Sequence, residues 1–308
     1  MTVIKDTILG FVVADALGVP VEFESREYLK NHKITEMEEY MSYMEPKGTW
    51  SDDSSTVLAT IDSIIRQKQI NYDDIMNNFI KWYKENEFTA TGRLFDIGRT
   101  TREAFENYLN GAISTEAGMD NIFDNGNGSL MRMLPIALYT YYKNINDDYL
   151  YEVVKDTSSL THKHSISVMA SFIYCKYMHF LIDTKDKIKS YEKVKNIDYT
   201  KYFSEDTINK FDRVFNNIYS LDIDKINSTG YVVSTLESVL WSVINNETYK
   251  EAVIEAVNLG EDTDTIGAIT GSLISVIDNN IPTSWLCELK NRQLVDKLST
   301  DFEKCLTK

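Results

Sequence analysis

Two short acidic segments of this sequence combine carboxylates with hydroxyl groups at spacings that suit a divalent cation. The first, Ser51-Asp52-Asp53-Ser54, comes directly before an apolar helical stripe that starts at Val57. Serine is a favoured N-cap residue, and acidic side chains in a first turn interact well with the helix dipole. Taken alone, this segment is therefore explained by helix capping.

The second acidic segment offers more oxygen ligands than capping needs. Residues 260–265 (GEDTDT) lie between a predicted helix over roughly 249–258 and another that starts near Ile266. One side chain, Asp262 or Thr263, would suffice to cap the second helix. Asp262, Asp264 and Thr265 together supply three oxygen ligands on alternate or adjacent residues. This surplus favours a metal-binding function.

If the two segments converge, four carboxylates share one small volume; they are those of Asp52, Asp53, Asp262 and Asp264. Two like charges about 4 Å apart repel by about 4 kcal/mol at an effective dielectric near 20. Two divalent ions would balance the four charges, and ligand sets made only of oxygen favour Mg²⁺, Mn²⁺ or Ca²⁺ over zinc. The spacing alone leaves two alternatives open, a dinuclear metal site or two separate helix caps.

Other polar segments have weaker chemical signals. Residues 124–132 (DNGNGSLMR) form a Gly/Asn turn whose backbone N–H groups suit an anion such as pyrophosphate, although an ordinary loop is the alternative. We expect Arg132 to make a structural ion pair. Residues 161–164 (THKH) place two histidines just before a helix, where hydrogen bonding at the helix start is commoner than metal binding. Glu22 is an acid in an apolar context, the kind of context that perturbs a carboxyl pKa.

Helical periodicity positions these segments at the starts of helices. Apolar residues recur at helical spacing in stripes that start at Val57, Ile166, Ile266 and Leu294. Alternating strand patterns are absent, and only four prolines occur in 308 residues. We predict an all-α fold with a single compact multi-helix domain over residues 1–308. The segment 183–206, rich in lysine and aspartate, is expected to be a surface excursion between helices.

Composition limits the classes of partner. The formal net charge of −15 argues against a nucleic-acid backbone or an anionic membrane as the main partner. The three cysteines are few, odd in number and without metal-ligand spacing, as in a reduced, cytoplasmic protein. The apolar run 8–21 is interrupted by Asp15 and too short to span a bilayer. We expect a soluble, cytoplasmic monomer.

Six segments resemble, in order, those of the ADP-ribosylglycohydrolases, a family that includes the dinitrogenase-reductase-activating glycohydrolase. They are 10–23 (GFVVADALGVPVEF), 50–54 (WSDDS), 95–101 (FDIGRTT), 125–132 (NGNGSLMR), 161–164 (THKH) and 257–271 (VNLGEDTDTIGAITG). Residues 228–241 also look like the family's helix before the second metal loop. Their order and the paired acidic motifs make the resemblance specific.

The resemblance implies an all-α fold with two divalent cations, Mg²⁺ or Mn²⁺, in a cleft. The implied metal ligands are Ser51, Asp52, Asp53, Asp262, Asp264 and Thr265. Glu22 corresponds to the family's acidic residue near the metals, and Asp96 to an acidic residue on the substrate side of the cleft. Either one would act as general acid or base, with the choice between them open. The implied substrate contacts are Asn127, Gly128, Ser129, His162, Asp96 and Gly98.

The resemblance implies that the substrate carries ADP-ribose on an acceptor. The leading hypothesis is a metal-dependent hydrolase that releases ADP-ribose from a protein side chain such as arginine or serine. A hydrolase of a small ADP-ribosyl metabolite, such as O-acetyl-ADP-ribose, is the alternative, and an inactive ADP-ribose-binding module is the third. This chain departs from the family pattern at Ser51, where threonine is commoner, and at Glu261, where many relatives have glycine.

Overall fold

The computed structural model of the protein describes residues 2–307 and contains, over that range, sixteen α-helices, six short 3₁₀-helices and no β-strand. The α-helices are α1 Val3–Gly18, α2 Arg26–Asn31, α3 Asp52–Gln67, α4 Tyr72–Glu85, α5 Arg99–Leu109, α6 Leu134–Tyr142, α7 Asp147–Ser159, α8 Ser165–Thr184, α9 Lys187–Lys195, α10 Glu205–Ile208, α11 Asp212–Phe215, α12 Val232–Asn245, α13 Tyr249–Val257, α14 Thr263–Ile274, α15 Thr283–Glu288 and α16 Arg292–Thr307. The 3₁₀-helices are Val19–Val21, Ser114–Glu116, Tyr199–Lys201, Asn209–Phe211, Ile218–Ser220 and Ile223–Lys225. The all-α fold predicted from the sequence is confirmed.

Helices α1 and α14 lie at the centre and are buried along almost their whole length. Their backbones approach closely because glycines face each other across the contact. A Cβ at Gly271 would lie 2.4 Å from the carbonyl oxygen of Gly10, and a Cβ at Gly10 would lie 2.8 Å from that of Gly271. Only glycine permits this approach. The end of α1 is thereby fixed against the start of α14, where the second acidic segment lies.

The remaining helices enclose this pair. Helix α3, which begins with the first acidic segment, packs against α1, α14, α16, α4 and α6. On another side, α8 packs against α6, α7, α9 and α12. Within residues 2–307, α8 is the one helix long and apolar enough to cross a membrane by length and composition, and 78% of its apolar window is buried inside the protein. Its position in the core explains its composition.

The segment 183–206 differs from the surface excursion expected from its composition. It forms α9 and a 3₁₀-turn and buries apolar side chains in the core; these are Tyr191, Val194, Tyr199 and Phe203. Lys189 and Lys193, on the same helix, face solvent. Apolar residues three and four positions apart cover one helix face, and the charged residues of the opposite face obscured this short stripe.

Gly18 provides a test of how closely α1 must approach α14. A Cβ at this position would lie 2.4 Å from the Cα of Asp264 and 2.5 Å from the carbonyl oxygen of Thr263. Gly18→Ala therefore has to displace the backbone of the second acidic segment, and overpacking of this kind costs about 1–3 kcal/mol. We expect a lower melting temperature in a thermal scan, together with weaker metal binding by titration calorimetry. A variant with unchanged stability and unchanged metal affinity would contradict this close packing.

Candidate active site

The first acidic segment begins α3, but a carboxylate from another helix supplies much of its capping. Asp15 of α1 accepts hydrogen bonds from the backbone N–H groups of Ser51 at 3.0 Å and Ser54 at 3.1 Å, and from the Ser54 hydroxyl at 2.5 Å. Burial raises the pKa of Asp15 to about 6. Because Asp15 and the Ser51 hydroxyl satisfy the start of α3, the carboxylates of Asp52 and Asp53 are not needed there as caps.

Helix α14 begins at the second acidic segment, where the Asp262 carboxylate is likewise not used as a helix cap. Asp262 occupies the N-cap position, but its carboxylate makes no capping hydrogen bond. It accepts instead from the side-chain amide of Asn127 at 2.7 Å. The hydroxyl of Thr263 donates to the Gly18 carbonyl at 2.8 Å, which joins this turn to the end of α1. The Asp262 carboxylate is therefore directed toward the cleft and away from the helix start.

The two acidic segments meet. The hydroxyl of Thr265 donates to Asp53 Oδ2 at 3.2 Å, and the hydroxyl of Ser51 donates to the same oxygen at 3.3 Å. Three buried carboxylate oxygens near this contact have no hydrogen-bond partner within residues 2–307; they are Asp53 Oδ1, Asp262 Oδ1 and Asp264 Oδ2. Buried oxygens without partners are costly, and they suit hard cations that prefer oxygen ligands.

Glu22 and Asp96 extend the cluster of carboxylates. Glu22 follows the 3₁₀-turn at the end of α1, and the Tyr43 hydroxyl donates to its Oε2 at 2.6 Å. Asp96 precedes α5 and has a left-handed backbone with φ of 51°. One carboxylate oxygen each of Glu22, Asp96 and Asp264 lies within 4.8 Å of the others. These three side chains are therefore close enough to share one cation.

Burial and mutual repulsion disfavour the ionised form of these carboxyl groups. Burial, followed by the charges of Asp96 and Asp262, raises the pKa of Glu22 to about 10. Burial raises the pKa of Asp262 to about 6, against the opposing hydrogen bond from Asn127. The pKa values of Asp52, Asp53 and Asp264 lie well above the usual range, again because of burial first and neighbouring charges second. These shifts are in the direction expected where carboxyl groups compete for few positive charges, so bound protons or bound cations would relieve the repulsion.

A second side of the cleft is formed by the Gly/Asn turn. Asn127 and Gly128 line the cleft, but the backbone N–H of Asn127 donates to the Gly230 carbonyl at 3.0 Å and is not free for an anion. Ser129 is fully buried and does not line the cleft. Its expected contact with substrate is therefore not supported, because the turn enters the core at that residue. Fewer groups of this turn than predicted are therefore available to bind an anion.

The side chains of His162 and Arg132 contact this turn at Gly128 and hold its backbone in place. His162 is buried, and a Cβ added at Gly128 would lie 2.8 Å from its Cε1. Burial, with smaller effects from Arg132 and Arg99, lowers the pKa of His162 to about 3. Arg132 donates to the backbone carbonyls of Gly128, Thr157 and Ser158. The expected ion pair of Arg132 is wrong, since no carboxylate in residues 2–307 pairs with it, but its role is structural.

The cleft between these sides has a volume of about 250 Å³. Its lining includes four of the six residues implied as metal ligands, Asp52, Asp53, Asp262 and Thr265, whereas Ser51 and Asp264 lie beneath the surface. It also includes residues of the motif segments to which the sequence assigned no role in the site; these are Phe23, Arg99, Thr100, Thr101, Gly126 and Met131. Of these, Arg99 is the cationic residue, and it pairs with Asp124 at 2.6 Å and Glu103 at 2.9 Å.

The departure at Glu261 has a backbone explanation. Glu261 has a left-handed φ of 65°, and its side chain is exposed. Its carbonyl accepts from the N–H of Phe23 at 2.7 Å, which pairs this loop with the segment after Glu22. A left-handed position is where glycine is favoured, in agreement with the glycine expected there from the family pattern.

Comparisons with known proteins agree with this arrangement. Residues 3–307 match the sequence model of the ADP-ribosylglycohydrolase family. The chain is 27% identical over 302 residues to an ADP-ribosylarginine hydrolase of Pseudomonas putida (strain GB-1), covering 97% of this chain and 77% of that protein. It is 27% identical over 285 residues to an ADP-ribosyl-[dinitrogen reductase] glycohydrolase of Rhodospirillum rubrum, covering 91% of this chain and 88% of that protein. A solved structure described as an ADP-ribosylglycohydrolase-related protein complex superimposes with a TM-score of 0.82 at 25% identity, covering 99% of this chain and 98% of the other.

Proposed function

The chain belongs to the ADP-ribosylglycohydrolase family, and from this premise we propose that it cleaves the glycosidic bond between ADP-ribose and a modified protein side chain. Its class is that of the family, a hydrolase of ADP-ribosyl bonds. The relatives that act on ADP-ribosylarginine and on ADP-ribosylated dinitrogen reductase support a protein acceptor. The observation that carries the proposal is the meeting of the two acidic segments at Thr265 and Asp53, inside a cleft.

We propose that the cluster holds two divalent cations, Mg²⁺ or Mn²⁺. The donor set fits them, since it contains only oxygen and leaves three buried carboxylate oxygens without partners. The residues that would hold the cations are Ser51, Asp52, Asp53, Asp262, Asp264 and Thr265. When bound, the cations supply positive charge and Lewis acidity toward water and the ribose hydroxyls. Glu22 and Asp96 lie close enough to Asp264 to contribute a further carboxylate.

The proposed reaction is a hydrolysis at the anomeric carbon of the ribose. The oxygen of a water molecule forms a bond to that carbon, and the bond from the carbon to the acceptor nitrogen or oxygen breaks. The proton lost by the water is returned to the leaving atom, so the products are ADP-ribose and the unmodified side chain. Glu22 and Asp96 are the groups positioned to move this proton. The hydroxyl of Tyr43 orients Glu22 through Oε2.

Binding of the nucleotide part is proposed for the side of the cleft that the Gly/Asn turn forms. Asn127, Gly128 and His162 line it there, and Gly98 lies at the start of α5. Arg99 also lines the cleft, but Asp124 and Glu103 pair with it, so the proposed cations would offset most of the repulsion between the pyrophosphate and the acidic cleft. The single domain, the cytoplasmic location and the monomeric state stay predictions from the sequence.

Release of ADP-ribose from defined substrates tests this function. We expect the protein to release ADP-ribose from ADP-ribosyl-arginine in the presence of Mg²⁺ or Mn²⁺, and EDTA to abolish the release because the carboxylate cluster then lacks its cations. ADP-ribosyl-serine, O-acetyl-ADP-ribose and intact NAD, each measured by chromatography of the products, provide the comparison. Faster hydrolysis of O-acetyl-ADP-ribose than of either amino-acid conjugate would favour the metabolite alternative. Full activity in EDTA would contradict the metal proposal.

A further inference from the structure

Phe23 places a large, exposed aromatic side chain on the wall of the proposed active site. Its side chain is 70% exposed and lines the cleft, directly after Glu22. The other apolar side chain that lines the cleft, Met131, is buried. Packing in the core does not explain Phe23, so its position calls for an explanation in terms of a ligand.

The backbone holds Phe23 in this position at a conformational cost. Its φ is 68°, in the left-handed region that bulky residues rarely occupy. Two backbone hydrogen bonds fix it: Phe23 N–H donates to the Glu261 carbonyl at 2.7 Å, and Glu261 N–H donates to the Glu24 carbonyl at 2.8 Å. Unfavourable backbone conformations of this kind cluster at ligand-binding sites.

Phe23 is part of an aromatic row beside the carboxylates. The ring centroid of Tyr43 lies 6.3 Å from that of Phe23, and the centroid of Phe95 lies 4.9 Å beyond that of Tyr43. Tyr43 donates its hydroxyl to Glu22, and Phe95 directly precedes Asp96. The aromatic row therefore adjoins the two groups proposed to move the proton to the leaving acceptor, and Phe23 is the member of the row that lines the cleft there.

An aromatic face next to carboxylates is suited to a planar cation. A guanidinium stacks on aromatic rings and is attracted by their π-electrons, whereas a serine hydroxyl offers neither a plane nor a charge. We propose that Phe23 packs against the guanidinium of an ADP-ribosylated arginine and determines the preference for this acceptor over an O-linked serine. This inference rests on the proposed function, because it assigns the acceptor side of the same cleft.

Phe23→Ala, Phe23→Tyr and a matched control test the inference. The control is Phe123→Ala, which removes an 85% exposed phenylalanine that does not line the cleft. We expect Phe23→Ala to lower kcat/KM for ADP-ribosyl-arginine by about 3- to 30-fold, the range of a cation–π contact. Phe23→Tyr and Phe123→Ala are expected to keep the parent value. Hydrolysis of ADP-ribosyl-serine and inhibition by free ADP-ribose should stay unchanged in all three variants.

Two outcomes would overturn the role of Phe23: an unchanged kcat/KM of Phe23→Ala on ADP-ribosyl-arginine, or an equal loss on both conjugates, which would indicate a general distortion of the cleft. Calorimetric binding of ADP-ribosyl-arginine and of ADP-ribose in millimolar Ca²⁺, which prefers oxygen ligands and is a weaker Lewis acid than Mg²⁺, separates this inference from the proposed function. A parent that binds the arginine conjugate more tightly than ADP-ribose, with the difference lost in Phe23→Ala, supports Phe23 even if no conjugate is hydrolysed. A parent that binds both equally overturns the inference even if hydrolysis is rapid.

Discussion

Replacing Asp53 or Asp264 by asparagine is expected to lower kcat by at least about 100-fold, since even the residues that merely orient metal ligands contribute 10- to 100-fold. Asparagine keeps the shape and one acceptor oxygen of the side chain but removes the charge that would hold a cation. Both residues are buried, and each has a carboxylate oxygen without a partner in residues 2–307. Steady-state release of ADP-ribose with excess Mg²⁺ or Mn²⁺ measures the loss, and circular dichroism checks that the helices are retained.

A matched control separates the metal site from helix capping. Asp73 lies in the first turn of α4, as Asp53 does in α3, but its side chain is exposed and outside the cleft. Asp73→Asn changes the same charge at the same kind of helix position, and we expect it to leave kcat unchanged. Near-parental turnover of Asp53→Asn or Asp264→Asn would show that the two acidic segments are not metal ligands.

The sequence predicted which residues belong to the site better than it predicted how these residues come together. Periodicity and capping signals placed 51–54 and 262–265 at helix starts, and α3 and α14 begin there. Spacing left open whether the two starts converge, because their distance depends on how α1 packs against α14. That contact is set by backbone approach at Gly10 and Gly271, which a periodic pattern does not record. The family resemblance, and not the spacing, predicted that the two segments form one site.

Side chains that act through tertiary contacts were the ones the sequence missed. Tyr43 lies in a segment without helical periodicity, and nothing in its neighbourhood predicts its contact with Glu22. Asp15 did carry a signal, because a carboxylate within an apolar run needs polar partners when it is buried. Arg132 was expected to pair with an acid, whereas it satisfies backbone carbonyls of the turn at Gly128. Such partners are chosen by the packed chain and not by its local sequence.

Adding the cations is expected to raise the melting temperature of the chelated protein by a few degrees. One site at a hundredfold excess of cation over its dissociation constant adds about 2.7 kcal/mol, and each kcal/mol corresponds to roughly 2–4 °C in domains somewhat smaller than this one. Chelation should not unfold the protein, because α1, α8 and α14 are buried in a large apolar core. Calorimetric scans in EDTA and in millimolar Mg²⁺ or Mn²⁺ measure the shift.

Asp53→Asn provides the control for this shift, because it removes repulsion together with a ligand. In EDTA we expect the variant to melt no lower than the parent, since the Asp53 charge is disfavoured by burial and by Asp15 and Asp262. With cations, the variant should lose most of the increase that the parent shows. A large increase in the variant would place the stabilising cation elsewhere.

The effect of pH on the chelated protein follows from the raised carboxylate pKa values. Burial raises the pKa of Asp262 from 3.8 to about 6, so between these values the folded state binds a proton that the unfolded state has lost. Stability therefore falls as the pH rises through this window, the opposite of a carboxylate whose folded pKa is lowered. In EDTA we expect the melting temperature to be higher near pH 5 than near pH 8.

Cations compensate the same charges, so the increase they cause in the melting temperature should be larger near pH 8, where more of the cluster would otherwise be ionised and unpaired. A cation-induced increase of equal size at both pH values would show that cations and protons do not compete for these carboxylates.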